Sequence, residues 1–279
     1  MQKGLGIIAG GGEYPRCIIR HCQLKGYPFC VVALEGQCDA QTPHQTPHLW
    51  IPLGAVGRGL KFLREHHVEN IIFAGHIQRP SLSDIKPDLL GMRWLAQIAV
   101  HAQGDDSLLR ALCRQFEKEG FRVVGSKDIF DESFFMPQGV ITQHHPNQED
   151  TKDIERGIAI LKALGDQDVG QAVIVQQGMV LGIEAIEGTD ALIRRCGDLK
   201  RAGEGGVLVK LSKRTQDLRV DMPTIGPDTI DQLIAAGLKG IALEAAHVQV
   251  IARDEVVRKA DEASLFITGI SFDEWSKKV

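Results

Sequence analysis

Short apolar runs alternate with stretches of helical period along most of this chain, and the alternation predicts its elements. Leu5 to Ala9 is an apolar run of strand length that breaks at Gly10-Gly11-Gly12, after which Tyr14, Cys17, Ile18 and Cys22 recur at helical spacing. Phe29 to Leu34 predicts a second strand, Val56 to His66 a helix, and Asn70 to Ala74 a third strand. Gln41 to Pro47 is a polar loop without periodicity, and its His44, with His48 nearby, reads as facing solvent. A helix beginning near Gly104-Asp105-Asp106 runs to Glu119, ends at Gly120 and feeds a strand from Phe121 to Val124. Strands and helices in this order argue a parallel, doubly wound sheet.

From Ser126 to Asn147 the periodicity lapses, with Pro137 and Pro146 inside, as expected of a linker between domains with some structure of its own. It resumes with a helix from Asp150 to Leu164 and two apolar strands around Gln176-Gln177-Gly178, which predict a hairpin. Thr189-Asp190 starts a further helix, and Val207 to Lys210 is an apolar strand. Helices at Asp228 to Ala236 and Arg253 to Asp261 then alternate with strands at Gly240 to Leu243, Val248 to Ile251 and Leu265 to Thr268. The expected organisation is an α/β protein of two domains: a Rossmann-like N-terminal domain over 1–132, a linker over 133–149, and a mixed α/β C-terminal domain over 150–279.

Composition narrows the function. A net charge of −4 gives no electrostatic footprint for nucleic acid, and the few aromatic residues make no base-stacking platform. The apolar runs are short and bounded by charge, so no membrane span is predicted. The N-terminal MQKGLGIIAGGG leads into glycines rather than a signal-peptide core, which places the protein in the cytoplasm. Six cysteines without a CxxC pair or zinc-finger histidines read as free thiols.

Three places could carry chemistry. The glycine turn at Gly10, Gly11 and Gly12 can bring backbone N–H groups close to a phosphate, although Pro15 stands where the dinucleotide fingerprint needs its third glycine. Arg79 follows the third strand, at the carboxyl end where open α/β sheets bind ligands. The richest stretch is Val207 to Gly226, VLVKLSKRTQDLRVDMPTIG. Lys210 ends a strand, as charged residues at a site rim do, and Lys213 and Arg214 add positive charge. As an extended piece, Asp217, Arg219 and Asp221 would share one face, before a Pro223-Thr224-Ile225-Gly226 turn that fixes the backbone. Solvated ion pairs are the plainer account of that face. Helix capping is likewise the plainer account of Asp105 and Asp106 and of Thr189 and Asp190.

Taken together, GIIAGGGEYP, GDDSLLR with EKEGF, GQAVIVQQGMVLGIEAIEGTDALIRR and VLVKLSKRTQDLRVDMPTIGPDTI resemble the UDP-2,3-diacylglucosamine pyrophosphatase family of the kind that replaces the calcineurin-like phosphoesterase in many Gram-negative bacteria. The resemblance runs from end to end and rests on the order and spacing of these motifs. It implies two domains with the active cleft between them, magnesium dependence with manganese as an alternative, and hydrolysis of UDP-2,3-diacylglucosamine to 2,3-diacylglucosamine 1-phosphate and UMP in lipid A synthesis. It also implies a cytoplasmic enzyme peripheral to the inner membrane, and allows a homodimer. The family's essential aspartate falls on Asp221, with Lys210 and Arg219 as further catalytic positions and Asp190 as a second metal ligand. Gly10, Gly11, Gly12, Arg79, Asp105, Asp106, Gln171, Glu187, Gly188, Thr189, Arg194, Lys213 and Thr224 carry over as substrate-binding positions.

The residues agree with this chemistry on their own account. Pyrophosphate hydrolysis needs cations against phosphate oxygens, a carboxylate-held metal and a positioned water. The His/Asp constellations of a dinuclear phosphoesterase are missing, which argues for a sparse magnesium site. A non-catalytic nucleotide-binding regulatory protein and a soluble nucleoside-diphosphate-sugar hydrolase remain the alternatives. The first would keep its affinity in chelator, and the second would lack an apolar tunnel.

Overall fold

A computed structural model describes residues 4–77, 85–99, 105–165, 167, 169–213 and 216–271 of the 279-residue chain. Two compact units divide it: Met1–Ile129 with Asp217–Asp221, and Phe130–Gln216 with Met222–Val279.

The first unit contains β1 (Gly4–Ala9), α1 (Glu13–Lys25), β2 (Phe29–Leu34), β3 (His48–Ile51), α2 (Val56–Glu65), β4 (Val68–Ala74), α3 (Leu89–Ala99), α4 (Asp105–Lys118), β5 (Arg122–Val123) and α5 (Ser126–Ile129). Its five strands are all parallel, in the order β3-β2-β1-β4-β5. The strand order reverses between β1 and β4, where the chain departs towards β2 on one side and β5 on the other. β1, β2 and β4 are buried along almost their whole length, which is why they read as unbroken apolar runs. Leu60 and Leu63 of α2, Trp94 and Ile98 of α3, and Phe116 of α4 close over Cys30, Val32, Leu34 and Ile71. Trp94, Phe73 and Phe121 each meet Phe116 edge to face, with ring centroids 5.0, 5.5 and 6.4 Å away.

The second unit contains β6 (Gly139–Val140), α6 (Gln148–Gly165), β7 (Ala172–Gln176), β8 (Met179–Ile183), α7 (Thr189–Asp198), β9 (Val207–Lys210), β10 (Thr224–Ile225), α8 (Pro227–Ala235), β11 (Gly240–Glu244), β12 (Gln249–Val250), α9 (Arg253–Glu262) and β13 (Phe266–Ile270). Six strands form a mixed sheet in the order β6-β13-β11-β9-β7-β8, in which β9, β11 and β13 are parallel. One face packs on Ile154, Ile158 and Leu161 of α6. The other packs on Leu192 and Ile193 of α7, Ile230 and Leu233 of α8, and Val256 of α9. Two helical layers thus enclose the sheet, and each fully buried Leu or Ile contributes about 1.5–3 kcal/mol.

The predicted hairpin is present: Gln177 and Gly178, both at positive φ, turn β7 back into antiparallel β8. Three expectations change. β3 was not predicted, since Pro47 and Pro52 confine it to four residues. α3 was not predicted because it is apolar on both sides, with Leu89 and Met92 exposed opposite buried Trp94 and Ile98. The segment read as a linker with some structure of its own includes α5, a 3₁₀ turn at Glu132–Phe134 and β6, which pairs antiparallel with β13. The Pro223–Gly226 turn is instead β10, held by parallel pairing with β12: Gln249 N–H donates to Pro223 O at 2.8 Å and Ile251 N–H to Ile225 O at 2.9 Å. All six cysteines are free thiols, five of them buried, and burial pushes Cys22 and Cys113 up to about 11.

Candidate active site

Parallel strands align their carboxyl ends, and in the second unit that edge gathers the polar residues. β9 ends at Lys210 and β11 at Glu244, while Glu184 follows β8 and Gln171 precedes the antiparallel β7. Lys210, at 5% exposure, is a buried cation rather than the rim residue its strand-end position suggested. Its Nζ donates to Thr189 Oγ1 at 2.8 Å and lies 3.4 Å from Thr224 O. Thr189 Oγ1 in turn donates to Glu184 Oε1 at 2.7 Å, and Gln171 N–H donates to Glu184 Oε2 at 3.0 Å. Thr189 thus relays between a buried ammonium and a buried carboxylate, an arrangement that satisfies both charges away from water. Capping does not account for Thr189, because the N-cap of α7 is Gly188 and no side chain caps it. Gly170 fits Glu184 into place: its φ is +54°, and a Cβ there would lie 1.9 Å from Glu184 O.

The polar chain continues past Lys210. Gln216 Nε2 donates to Gln171 Oε1 at 3.3 Å, and Lys213 N–H donates to Gln216 Oε1 at 3.0 Å. Ser212 gives both its N–H (2.7 Å) and its hydroxyl (2.6 Å) to Glu244 Oε2. Glu244 Oε1 lies 2.8 Å from His247 Nδ1. Outside this chain, hydrogen bonding from its own backbone N–H, then from Arg195 at 2.8 Å and the Ala185 N–H, holds the Glu187 carboxyl below the usual range. Arg194 and Asp190 are exposed on α7, with Arg194 Nε 3.4 Å from Asp190 O.

Asp221 groups with the first unit, whereas Lys210, Thr189 and Thr224 group with the second. The extended face expected over Asp217, Arg219 and Asp221 does not form. Val220 N–H and Asp221 N–H both bond to Asp217 O, at 3.0 and 3.1 Å, so the segment is a helical turn. Val220 seats that turn on the aromatic core of the first unit. Arg219 grips Asp217 through Nη2 at 2.7 Å and Glu117 through Nη1 at 3.0 Å. Hydrogen bonding from Arg219 holds the Asp217 carboxyl below its ordinary range, and the two carboxylates push the guanidinium up. Asp221 is half-buried.

After the carboxyl end of β1, Gly10 and Gly11 follow from packing. Gly10 N–H donates to Ala74 O and Gly11 N–H to His76 O, at 2.8 and 2.9 Å. A Cβ on Gly10 would lie 2.5 Å from His76 O, so the β1 and β4 loops meet backbone to backbone. With those two N–H groups engaged, an anion's approach falls to Gly12 and the first turn of α1, where helix N–H groups converge. Arg79 and Arg214 lie outside the described residues. Asp105 and Asp106 open α4, and their side chains lie outside them as well.

Among the described residues no three of His, Cys, Asp and Glu gather as a metal cage. Magnesium commonly uses one or two carboxylates completed by water and phosphate oxygens. Asp221, half-buried, fits that sparse manner of holding an ion and does not fit a preassembled polydentate site. Sequence reasoning passed over Glu184, Ser212, Glu244 and His247. The signal for both glutamates was present, since each directly follows an apolar run as Lys210 does.

Two family models match the chain, described as LpxI N-terminal domain over residues 4–133 and LpxI C-terminal domain over 137–268. The protein from Caulobacter vibrioides named UDP-2,3-diacylglucosamine pyrophosphatase LpxI is 38% identical over 280 residues, covering 98% of this chain and 99% of that one. A solved structure of N5-carboxyaminoimidazole synthase from Aspergillus clavatus, with ADP and 5-aminoimidazole ribonucleotide, aligns at 12% identity. That alignment covers 71% of this chain but 44% of the other, and its TM-score of 0.23 carries no argument.

Proposed function

This chain belongs to the LpxI family, and on that premise we propose that it hydrolyses UDP-2,3-diacylglucosamine to 2,3-diacylglucosamine 1-phosphate and UMP in lipid A biosynthesis. Identity of 38% to a pyrophosphatase of that name over 98% of this chain and 99% of that one is the observation that carries this reading. In the reaction a water oxygen bonds to one phosphorus, the bridging P–O bond breaks, and its electron pair leaves with the other phosphate.

Charges developing on the phosphate oxygens call for fixed cations and hydrogen-bond donors. Lys210 is the foremost of these, supported by its placement through Thr189 and Glu184 in a low-dielectric setting where a cation acts strongly. Lys213, Arg194 and Thr224 are the further substrate-binding positions in this reading, and Gly12 contributes the amino end of α1. Arg219, paired with Asp217 and Glu117, holds the turn that ends in Asp221. Asp221, with Asp190 as a second ligand, would hold magnesium. The bound ion supplies charge neutralisation of the diphosphate and acidifies water. The substrate's acyl chains imply work at the inner-membrane surface, and no helix among the described residues is long and apolar enough to cross a membrane.

Purified protein given UDP-2,3-diacylglucosamine should release UMP, whereas the Asp221→Asn variant should fold and release none. Equal turnover of an unacylated UDP-sugar would favour a soluble nucleoside-diphosphate-sugar hydrolase instead.

A further inference from the structure

Ser212, Glu244 and His247 form a second ordered cluster at the carboxyl edge of the mixed sheet, outside the residues assigned above. Glu244 is 6% exposed, and its Oε2 is fixed by two donors from Ser212 at 2.7 and 2.6 Å. The free lone pairs of Oε1 then face His247 Nδ1 at 2.8 Å, a contact that puts the imidazole proton on Nδ1. In the neutral ring this leaves Nε2, on the far side from Glu244, as a proton acceptor. The His247 side chain is 40% exposed, so solvent and ligands reach it, while its carboxylate partner is buried.

The turn that carries His247 is tied down by three backbone hydrogen bonds to two neighbouring segments. Ala245 N–H donates to Ile270 O at 2.9 Å, Ala246 N–H to Met136 O at 2.8 Å, and Met136 N–H to Val248 O at 2.9 Å. Ala246 adopts φ +60°, a left-handed conformation unusual for a residue with a Cβ, and it bends the chain so that His247 returns over Glu244. Leu243 pairs with Lys210 across β11 and β9, which puts the Glu244 and Lys210 strand ends side by side. The hydrogen-bonded chain from Lys210 through Thr189, Glu184, Gln171 and Gln216 to Lys213, neighbour of Ser212, runs between them.

We propose that His247 is the general base of the hydrolysis and Glu244 its positioning residue, an assignment that rests on the pyrophosphatase reading. One proton of the attacking water passes to Nε2 as the water oxygen bonds to phosphorus. The bridging P–O bond breaks, its electrons stay with the departing phosphate, and the imidazolium returns its proton to bulk water. Glu244 keeps the ring in the tautomer whose Nε2 can accept, and its negative charge stabilises the imidazolium.

His247→Asn tests this directly. Its amide nitrogen can overlay Nδ1 and keep the bond to Glu244, but nothing replaces Nε2. With UDP-2,3-diacylglucosamine, kcat should fall by about 100-fold or more while KM changes by less than about threefold, and the melting temperature should be kept. His247→Ala should be equally slow, and imidazole added to the assay should raise its kcat. Should the alanine variant fail to fold, the asparagine variant alone decides. A folded asparagine variant with near wild-type kcat, or an alanine variant that imidazole leaves unchanged, overturns the assignment and makes the His247–Glu244 pair a turn fastening. Absence of UMP release by the wild-type protein in the same assay would instead defeat the hydrolase reading and this role with it.

Discussion

Asp217 and Arg219 show how a charged pair two residues apart can fix the backbone beside a candidate site residue. The pair closes a turn, and Arg219 also reaches Glu117 of α4, so Asp221 leaves that turn from an anchored backbone. Because the folded carboxyl of Asp217 titrates below its unfolded value, the pair's stabilisation is fully present above about pH 3.9 and is lost as pH falls through the lowered folded value. The side chains are partly exposed, so solvent screens the pair and the effect should be at most about 1 kcal/mol. Melting temperatures of wild type and Asp217→Asn should therefore differ at neutral pH and converge below about pH 4. A difference independent of pH would assign the loss to something other than the carboxylate's charge.

Among the elements, the β7–β8 hairpin shows what one buried carboxylate does for a whole strand pair. Asp153 of α6, 3% exposed, accepts from Gln177 N–H at 2.8 Å and Gly178 N–H at 2.6 Å, so the helix clamps the tip of the hairpin. β8 is the edge strand and leads directly to Glu184, so the clamp reaches the polar network along the strand. Asp153→Ala should lower unfolding free energy by about 1–3 kcal/mol, the range for losing charge-assisted hydrogen bonds, as read by urea denaturation. An unchanged midpoint would mean that the turn holds itself. At the start of α6, Asn147 Oδ1 accepts from the Glu149 and Asp150 N–H groups, at 2.8 and 2.9 Å. This cap is legible in the sequence as Asn three residues before an acid, and it begins the helix at Gln148, two residues ahead of the predicted Asp150.

For the molecule as a whole, the absence of a preassembled metal cage among the described residues turns the expected magnesium requirement into a sharp test. An ion held by one or two carboxylates and by the substrate's own phosphates binds weakly and exchanges quickly. Brief treatment with EDTA should abolish UMP release, and magnesium or manganese should restore it better than zinc, which prefers nitrogen and sulfur ligands. The melting temperature should hardly move, because an ion that needs the substrate to complete its shell adds little to the free protein. Full activity in excess chelator would remove the metal from the mechanism.

The sequence by itself determined the order of the longer strands and most helices, the parallel α/β character and the family, but not β3, α3 or β10. Strands buried on both faces must be continuous apolar runs, and the glycine, hairpin and PTIG motifs are local in sequence. Tertiary structure alone decided which charges meet. The order β13-β11-β9-β7-β8 brings Glu184, Lys210 and Glu244 to one edge although long stretches of chain separate them. Its register faces Lys210 with Leu243, and no periodicity encodes that pairing. The same holds for Gly10 and Gly11, whose need for bare backbone comes from His76 in the loop after β4, and for Asp217–Asp221, whose turn settles on an aromatic core built by earlier residues. Local pattern reports the period and burial of a segment, whereas the partner at a strand's end is chosen by how non-adjacent strands pair.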